Sequence, residues 1–153
     1  MKQKVITCDI EKCTGCQICD LFCSAKKEKA FNPLLSRIKT IRIEPSFNMA
    51  SVCRLCEDPT CVKVCPRDAL QKNKETGIIT VNKERCSGCD WCIQGCEFGA
   101  ILLHPTEKIV AICDLCEGDP QCVKVCPKGA LAFTTRDQVA LKSRLKTVST
   151  RKI

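Results

Sequence analysis

The chain has 153 residues, enough for one domain or two very small ones, and a formal charge of +8 from 25 Lys and Arg against 17 Asp and Glu. No run reaches the roughly eighteen apolar residues of a membrane span, and five Phe with one Trp leave little to stack on bases, so neither a direct membrane span nor a nucleic-acid partner is expected. The apolar fraction of 44% includes 17 cysteines; without them it falls to about a third, a thin core for this length.

Met1-Lys2-Gln3-Lys4 begins no apolar leader and precedes no small-residue cleavage site, so a cytoplasmic location is expected. Val5-Ile6-Thr7 reads as a short strand, with Cys8 on it as a small buried hydrophobe. The first cysteine group follows: Cys13, Cys16, Cys19 and Cys23. Arg37 to Ile43 alternates apolar and polar residues, as a half-buried strand does. The second group is Cys53, Cys56, Cys61 and Cys65, after which Ala69-Leu70 and Ile78 to Val81 form a hairpin turning through Asn73 to Gly77. The third group, Cys86, Cys89, Cys92 and Cys96, precedes a second hairpin made of Ala100 to His104 and Ile109 to Ile112. The fourth is Cys113, Cys116, Cys122 and Cys126, followed by a strand over Leu131 to Thr134. Short helices are expected after Cys23, Cys65, Cys96 and Cys126. In the basic tail, 136–153, Leu141, Leu145 and Val148 stand at helical spacing among Lys142, Arg144, Lys146, Arg151 and Lys152; it is either a docking helix for a partner or a frayed end.

Three chemistries compete for so many thiols: disulfides, zinc sites and iron–sulfur clusters. Disulfide frameworks belong to exported domains, and nothing at the amino terminus points to export. Zinc sites use separated C-x2-C pairs or His partners, whereas the first and third groups pack three cysteines at three-residue intervals and His104 is the single histidine. Every group ends in C-x3-C, and the run C-x2-C-x2-C-x3-C wraps three thiolates around one 4Fe-4S cubane while the fourth reaches another cluster. Gly15 and Gly88 occupy the same place in their groups, where a residue without Cβ lets the backbone bend towards cluster sulfur. An oxidised cubane with four thiolates carries about −2, so four would cancel the formal charge, and Lys63, Lys72, Lys83 and Lys124 read as solvated counter-charges. With so little apolar bulk, the clusters stand in for a core, and metal loading is coupled to folding.

The groups are internal repeats. Cys13 to Cys23 matches Cys86 to Cys96 at an offset of 73, and Cys61-Val62-Lys63-Val64-Cys65-Pro66 is identical to Cys122-Val123-Lys124-Val125-Cys126-Pro127. Adjacency pairs groups two and three, which together resemble a bacterial two-cluster ferredoxin; elimination pairs groups one and four, with Val5-Ile6-Thr7 and Leu131 to Thr134 as partner strands. The expected fold is α+β: two interleaved bacterial two-cluster ferredoxin-like modules with short strands and short helices. Module one covers 1–44 plus 113–135 and module two 45–112, making one four-cluster domain over 1–135 with the tail beyond. Exchanging each fourth cysteine with its partner group assigns Cys13, Cys16, Cys19 and Cys126 to cluster one, and Cys113, Cys116, Cys122 and Cys23 to cluster two. Cluster three takes Cys53, Cys56, Cys61 and Cys96, and cluster four takes Cys86, Cys89, Cys92 and Cys65.

Over residues 8–134 this four-group order, with C-x4-C and C-x5-C steps in groups two and four, resembles the electron-transfer subunits of molybdenum and tungsten oxidoreductases. Phe31-Asn32-Pro33 through Ser36-Arg37-Ile38 is more similar to the small iron–sulfur subunits of tungsten aldehyde oxidoreductases and of benzoyl-CoA reductase. The resemblance implies a non-catalytic chain carrying four 4Fe-4S clusters between a catalytic tungsten or molybdenum subunit and a second electron donor or acceptor protein; the oxygen lability of such clusters points to an anaerobic host. A free polyferredoxin, or a partner of a carbon monoxide dehydrogenase or hydrogenase, would use the same clusters. Ser24 and Glu97 replace the proline that often follows the fourth cysteine. Trp91 is expected to pack over a cluster and His104 to be a surface turn residue, and no catalytic set is seen.

Overall fold

The computed structural model describes residues 3–43 and 47–149. Its strands are β1 (Lys4–Cys8), β2 (Lys39–Ile43), β3 (Phe47–Ser51), β4 (Leu70–Lys72), β5 (Ile79–Val81), β6 (Ile101–Leu103), β7 (Val110–Ile112) and β8 (Leu131–Thr135). Its α-helices are α1 (Ile18–Glu28), α2 (Thr60–Lys63), α3 (Trp91–Gln94), α4 (Gln121–Lys124) and α5 (Arg136–Ser149).

Among the described residues every sheet is a two-stranded antiparallel ribbon: β1 with β8, β2 with β3, β4 with β5 and β6 with β7. The first of these pairs the strand before group one with the strand after group four as expected, with Val5 opposite Thr134 and Cys8 opposite Leu131. Both expected hairpins form, the first closing through Gly77 N–H to Asn73 O and the second through Lys108 N–H to His104 O. A lone ribbon is marginal in water, so these draw stability from what they cover. Ile6, Ile38, Leu55, Leu70, Ile79 and Ile101 are buried with the inner cysteines in one core.

The short helices do not follow the fourth cysteines. They precede them: α2, α3 and α4 carry Cys61, Cys92 and Cys122 and end just before Cys65, Cys96 and Cys126. C-x3-C is itself about one helical turn, which puts both sulfurs on one side. Beyond the fourth cysteine the chain turns, with the N–H of Asp68, Gly99 and Gly129 donating to the carbonyls of Cys65, Cys96 and Cys126. Pro66 and Pro127 bar further helix there. Group one differs because α1 runs through Cys23 to Glu28. Ser24, fully buried, donates its hydroxyl to Leu21 O (2.9 Å) and accepts from Asn32 N–H (3.1 Å), tying the extended helix to the segment that leads into β2.

The helices pack pairwise, α1 on α4 and α2 on α3, while α5 lies on β8 and β1. Strand β3 has no counterpart in the expectations above. The expected module boundary at residues 44 and 45 falls outside the described residues. The tail is helical to Ser149 with Leu141 and Leu145 exposed, while the side chain of Val148 and residues 150–153 lie outside the described portion.

Two proline substitutions separate the roles of the residues after the fourth cysteines. Ser24→Pro removes a buried hydrogen-bond pair and breaks α1, costing about 3 kcal/mol or more, whereas Glu97→Pro restores at an exposed turn the residue found at 66 and 127 and leaves the melting temperature near that of the parent. Thermal denaturation of the anaerobically prepared proteins measures both.

Candidate metal centres

Groups one and three are delivered by the same backbone path. Cys13 N–H and Cys86 N–H close turns onto Asp9 O and Asn82 O, both at 3.1 Å. Gly15 (φ 66°) and Gly88 (φ 64°) then bend the chain, and Gln17 (φ 62°) and Asp90 (φ 64°) start the helices in the left-handed region. Groups two and four use a different entry: Leu55, and the run Leu115, Cys116 and Glu117, hold positive φ, and Pro59 and Pro120 open the helices. The loops turn sharply enough to bring thiols around a common space.

Two of those spaces are distinct cavities. Cys13, Cys16, Cys19 and Cys126 line one together with Thr40 and Ala50. Cys65, Cys86, Cys89 and Cys92 line another. The remaining thiols are gathered more deeply. Burial, then the neighbouring sulfurs of Cys53, Cys96 and Cys56, push the Cys61 thiol up to about 12. Burial, then Cys23 and Cys116, push Cys122 up to about 12. Cys113 is likewise raised, by burial and then by Cys122, Cys23 and Cys53. Cys13, Cys16, Cys19 and Cys126 share one space and Cys65, Cys86, Cys89 and Cys92 another, while Cys61 neighbours Cys53, Cys56 and Cys96, and Cys122 neighbours Cys23 and Cys116. Cys16 and Cys89 are the exposed members, while Cys53, Cys61, Cys113 and Cys122 are buried.

Backbone amides point at several of these sulfurs: Ala69 N–H to Cys65 and Ala130 N–H to Cys126 at 3.3 Å, and Arg37 N–H to Cys23 at 3.4 Å. At Cys65 burial opposes ionisation, but the N–H groups of Ala69, Arg67 and Leu70 outweigh it and hold the thiol below its ordinary range. At Cys19, Cys53, Cys61, Cys92, Cys113, Cys116 and Cys122 desolvation wins and the thiols favour the neutral form, so a cation must accompany their ionisation. Among the described residues no three His, Cys, Asp or Glu side chains converge as they do on a single ion. The thiols surround space instead, which fits a cube of iron and sulfide with an iron at each thiolate.

Several side chains that the sequence left undistinguished frame the first group. Thr40 Oγ1 lies 3.6 Å from Cys19 Sγ, Arg42 Nε donates to Gly15 O at 2.6 Å, and Ala50 N–H donates to Cys8 Sγ at 3.3 Å. Asp20, 1% exposed, accepts from Thr40 N–H at 3.2 Å. A partly buried ion network runs beside group four, with Lys27 and Arg37 on Asp114 (2.6 and 3.2 Å) and Arg37 on Glu28 (3.4 Å). Burial opposes the Asp114 charge, but Lys27, the Cys116 N–H and Arg37 hold its carboxyl below the usual range.

His104 joins this network rather than the surface. Its side chain is 12% exposed, 3.9 Å from Glu28, and its Nδ1 accepts from Glu107 N–H at 3.1 Å. Trp91, expected over a cluster, is 59% exposed at the start of α3. Lys63, Lys83 and Lys124 are exposed, as expected, and pair with the surface carboxylates of Asp58, Glu107 and Asp119.

Gly88→Ala tests the loop geometry. A Cβ there would stand 2.2 Å from the Lys108 carbonyl at φ +64°, whereas at Gly15 it meets the movable side chains of Asn48 and Arg42. The left-handed strain costs about 1–2 kcal/mol at either site, but Gly88→Ala is expected to lose the neighbouring cluster, about four irons per chain, and Gly15→Ala to retain it. Iron analysis of the two variants measures the difference.

Comparison with known proteins accords with this geometry. Residues 46–136 match the 4Fe-4S dicluster domain family. The chain is 39% identical over 117 residues to the polyferredoxin-like subunit of aliphatic sulfonate oxidoreductase from Pyrococcus furiosus, covering 76% of this chain and 67% of that one. It is 33% identical over 150 residues to the thiosulfate reductase electron transfer subunit PhsB of Salmonella typhi, covering 89% and 78%. In overall fold it is similar to a chain in the BamBC active site complex of benzoyl coenzyme A reductase, with a TM-score of 0.51 at 23% identity and coverage of 99% and 92%. Among the described residues no helix is long and apolar enough to cross a membrane. The chain belongs to the 4Fe-4S dicluster domain family and is an iron–sulfur electron-transfer protein with 4Fe-4S clusters as its cofactors.

Proposed function

We propose that the chain is a wire subunit carrying four clusters, with ligands Cys13, Cys16, Cys19 and Cys126; Cys113, Cys116, Cys122 and Cys23; Cys53, Cys56, Cys61 and Cys96; and Cys86, Cys89, Cys92 and Cys65. The observation that carries it is the grouping of these thiols, two sets lining cavities and two sets meeting in the buried interior. The pairing of α1 with α4 and of α2 with α3 supports the exchange of fourth cysteines between partner groups. Each cubane supplies a one-electron couple when bound.

The chain's residues set the order of the wire. Cys53 contributes to the field at Cys113, which supports an order with clusters two and three side by side. The exposure of Cys16 and Cys89 supports clusters one and four as the ends. Amides donating to Cys23, Cys65 and Cys126 stabilise sulfur charge. In this reading one end meets the catalytic subunit of a tungsten or molybdenum oxidoreductase and the other a second electron donor or acceptor protein. The relatives named as subunits of aliphatic sulfonate oxidoreductase and thiosulfate reductase support a subunit role.

Cys126→Ala tests the ligand exchange. The account expects the signal of cluster one to be disturbed while the cluster held by Cys113, Cys116 and Cys122 persists, read by electron paramagnetic resonance of the reduced protein; the reverse pattern would contradict the pairing. Purification from native cells tests the subunit role: a stoichiometric catalytic chain containing tungsten or molybdenum is expected, and a chain that purifies alone would favour a diffusing polyferredoxin.

A further inference from the structure

The four groups repeat, and one position breaks the repeat. The residue after the third cysteine is Val62 in group two, Ile93 in group three and Val123 in group four, but Asp20 in group one. An aliphatic side chain there suits a half-buried helix packed beside a cluster. A carboxylate is costly to bury and persists only when it is hydrogen-bonded or paired.

Asp20 is 1% exposed. Its carboxylate accepts from Thr40 N–H at 3.2 Å and stands 4.0 Å from Cys19 Sγ, while Thr40 Oγ1 lies 3.6 Å from the same sulfur. The first turn of α1 adds N-terminal dipole stabilisation. Burial pushes the carboxyl above its ordinary range, opposed by Thr40 and by the nearby charges of Lys39 and Arg42. Strand β2, which lies over group one, supplies Thr40, Lys39 and Arg42. The chain thereby holds a buried carboxyl group against a ligand of group one, at the place where the other groups carry Val62, Ile93 and Val123.

We propose that Asp20 is the positioning residue that sets the reduction potential of cluster one, holding it below the value its cysteines alone would give. Reduction adds one electron to a cluster that already carries negative charge, and a fixed carboxylate in a poorly solvated site disfavours that addition. This rests on the ligand set proposed above.

Potentiometric titration of the anaerobic holoprotein, followed by electron paramagnetic resonance at mildly alkaline pH, tests it. Asp20→Asn keeps an oxygen for the Thr40 N–H and removes the charge. The expected result is a shift of one centre to higher potential with the others unmoved, and Cys16→Ser identifies the signal of cluster one. An unchanged set of potentials, or an equal shift of all centres, would overturn the proposal and leave Asp20 a structural tie between α1 and β2. If Asp20→Asn fails to load, Ile93→Asp gives the reciprocal measurement: cluster four is expected to move to lower potential, and no movement overturns the proposal. Iron and sulfide near sixteen each per parent chain tests the ligand set separately.

Discussion

Burial of ionisable sulfur is the constraint on which the structure depends. Cys61, Cys92, Cys113 and Cys122 sit where desolvation drives their thiols towards the neutral form, and each is surrounded by further cysteines. Ligation needs the opposite charge state. Iron resolves the conflict by supplying positive charge within the same cavity, so the interior becomes favourable only when it is loaded. The peptide supplies what it can in advance: left-handed turns that aim the sulfurs, single helical turns that align the third and fourth cysteines, and amides directed at Cys23, Cys65 and Cys126. The ribbons are a thin cover over that interior.

The parts of the fold legible in the sequence were those written by local chemistry. Gly77 and the polar run before it mark one hairpin, Pro105 to Lys108 mark the other, and the apolar triplets on each side have no alternative to burial. The β1–β8 ribbon followed from the repeat, since the outer groups needed partner strands. Strand β3 escaped because Phe47 to Ser51 is short, mixed in polarity and defined mainly by its pairing with β2. Helix placement was misjudged because the C-x3-C step had been read only as ligand spacing, although it is also a turn of helix.

Single side chains were harder to place because their environment comes from distant segments. His104 precedes a proline and looks like a turn residue, yet Glu28 from the end of α1 reaches it. Trp91 lies between two ligands in sequence but opens a four-residue helix on its outer side. Asp20 carried a signal that went unused: it departs from Val62, Ile93 and Val123 at a repeated position. Exposure could not be read from spacing either: Cys16 and Cys89 are exposed, while Cys19 and Cys92, three residues on in the same groups, are buried.

The two halves of the repeat have diverged where group one meets its surroundings. Between Cys23 and Cys53 lie 29 residues, against 16 between Cys96 and Cys113. The longer segment extends α1, turns at Pro33 to Leu35 and returns as β2 and β3 over group one. It brings Thr40 against Cys19, Arg42 against Gly15 and Ala50 against Cys8, so group one is enclosed by polar contacts from this segment. Anaerobic removal of iron by a chelator, followed by circular dichroism and metal analysis, tests the central claim most directly. The account predicts that iron and sulfide leave together and that the helix and strand signals collapse with them. A chain that stays compactly folded without metal, or that is isolated folded around zinc, would contradict it.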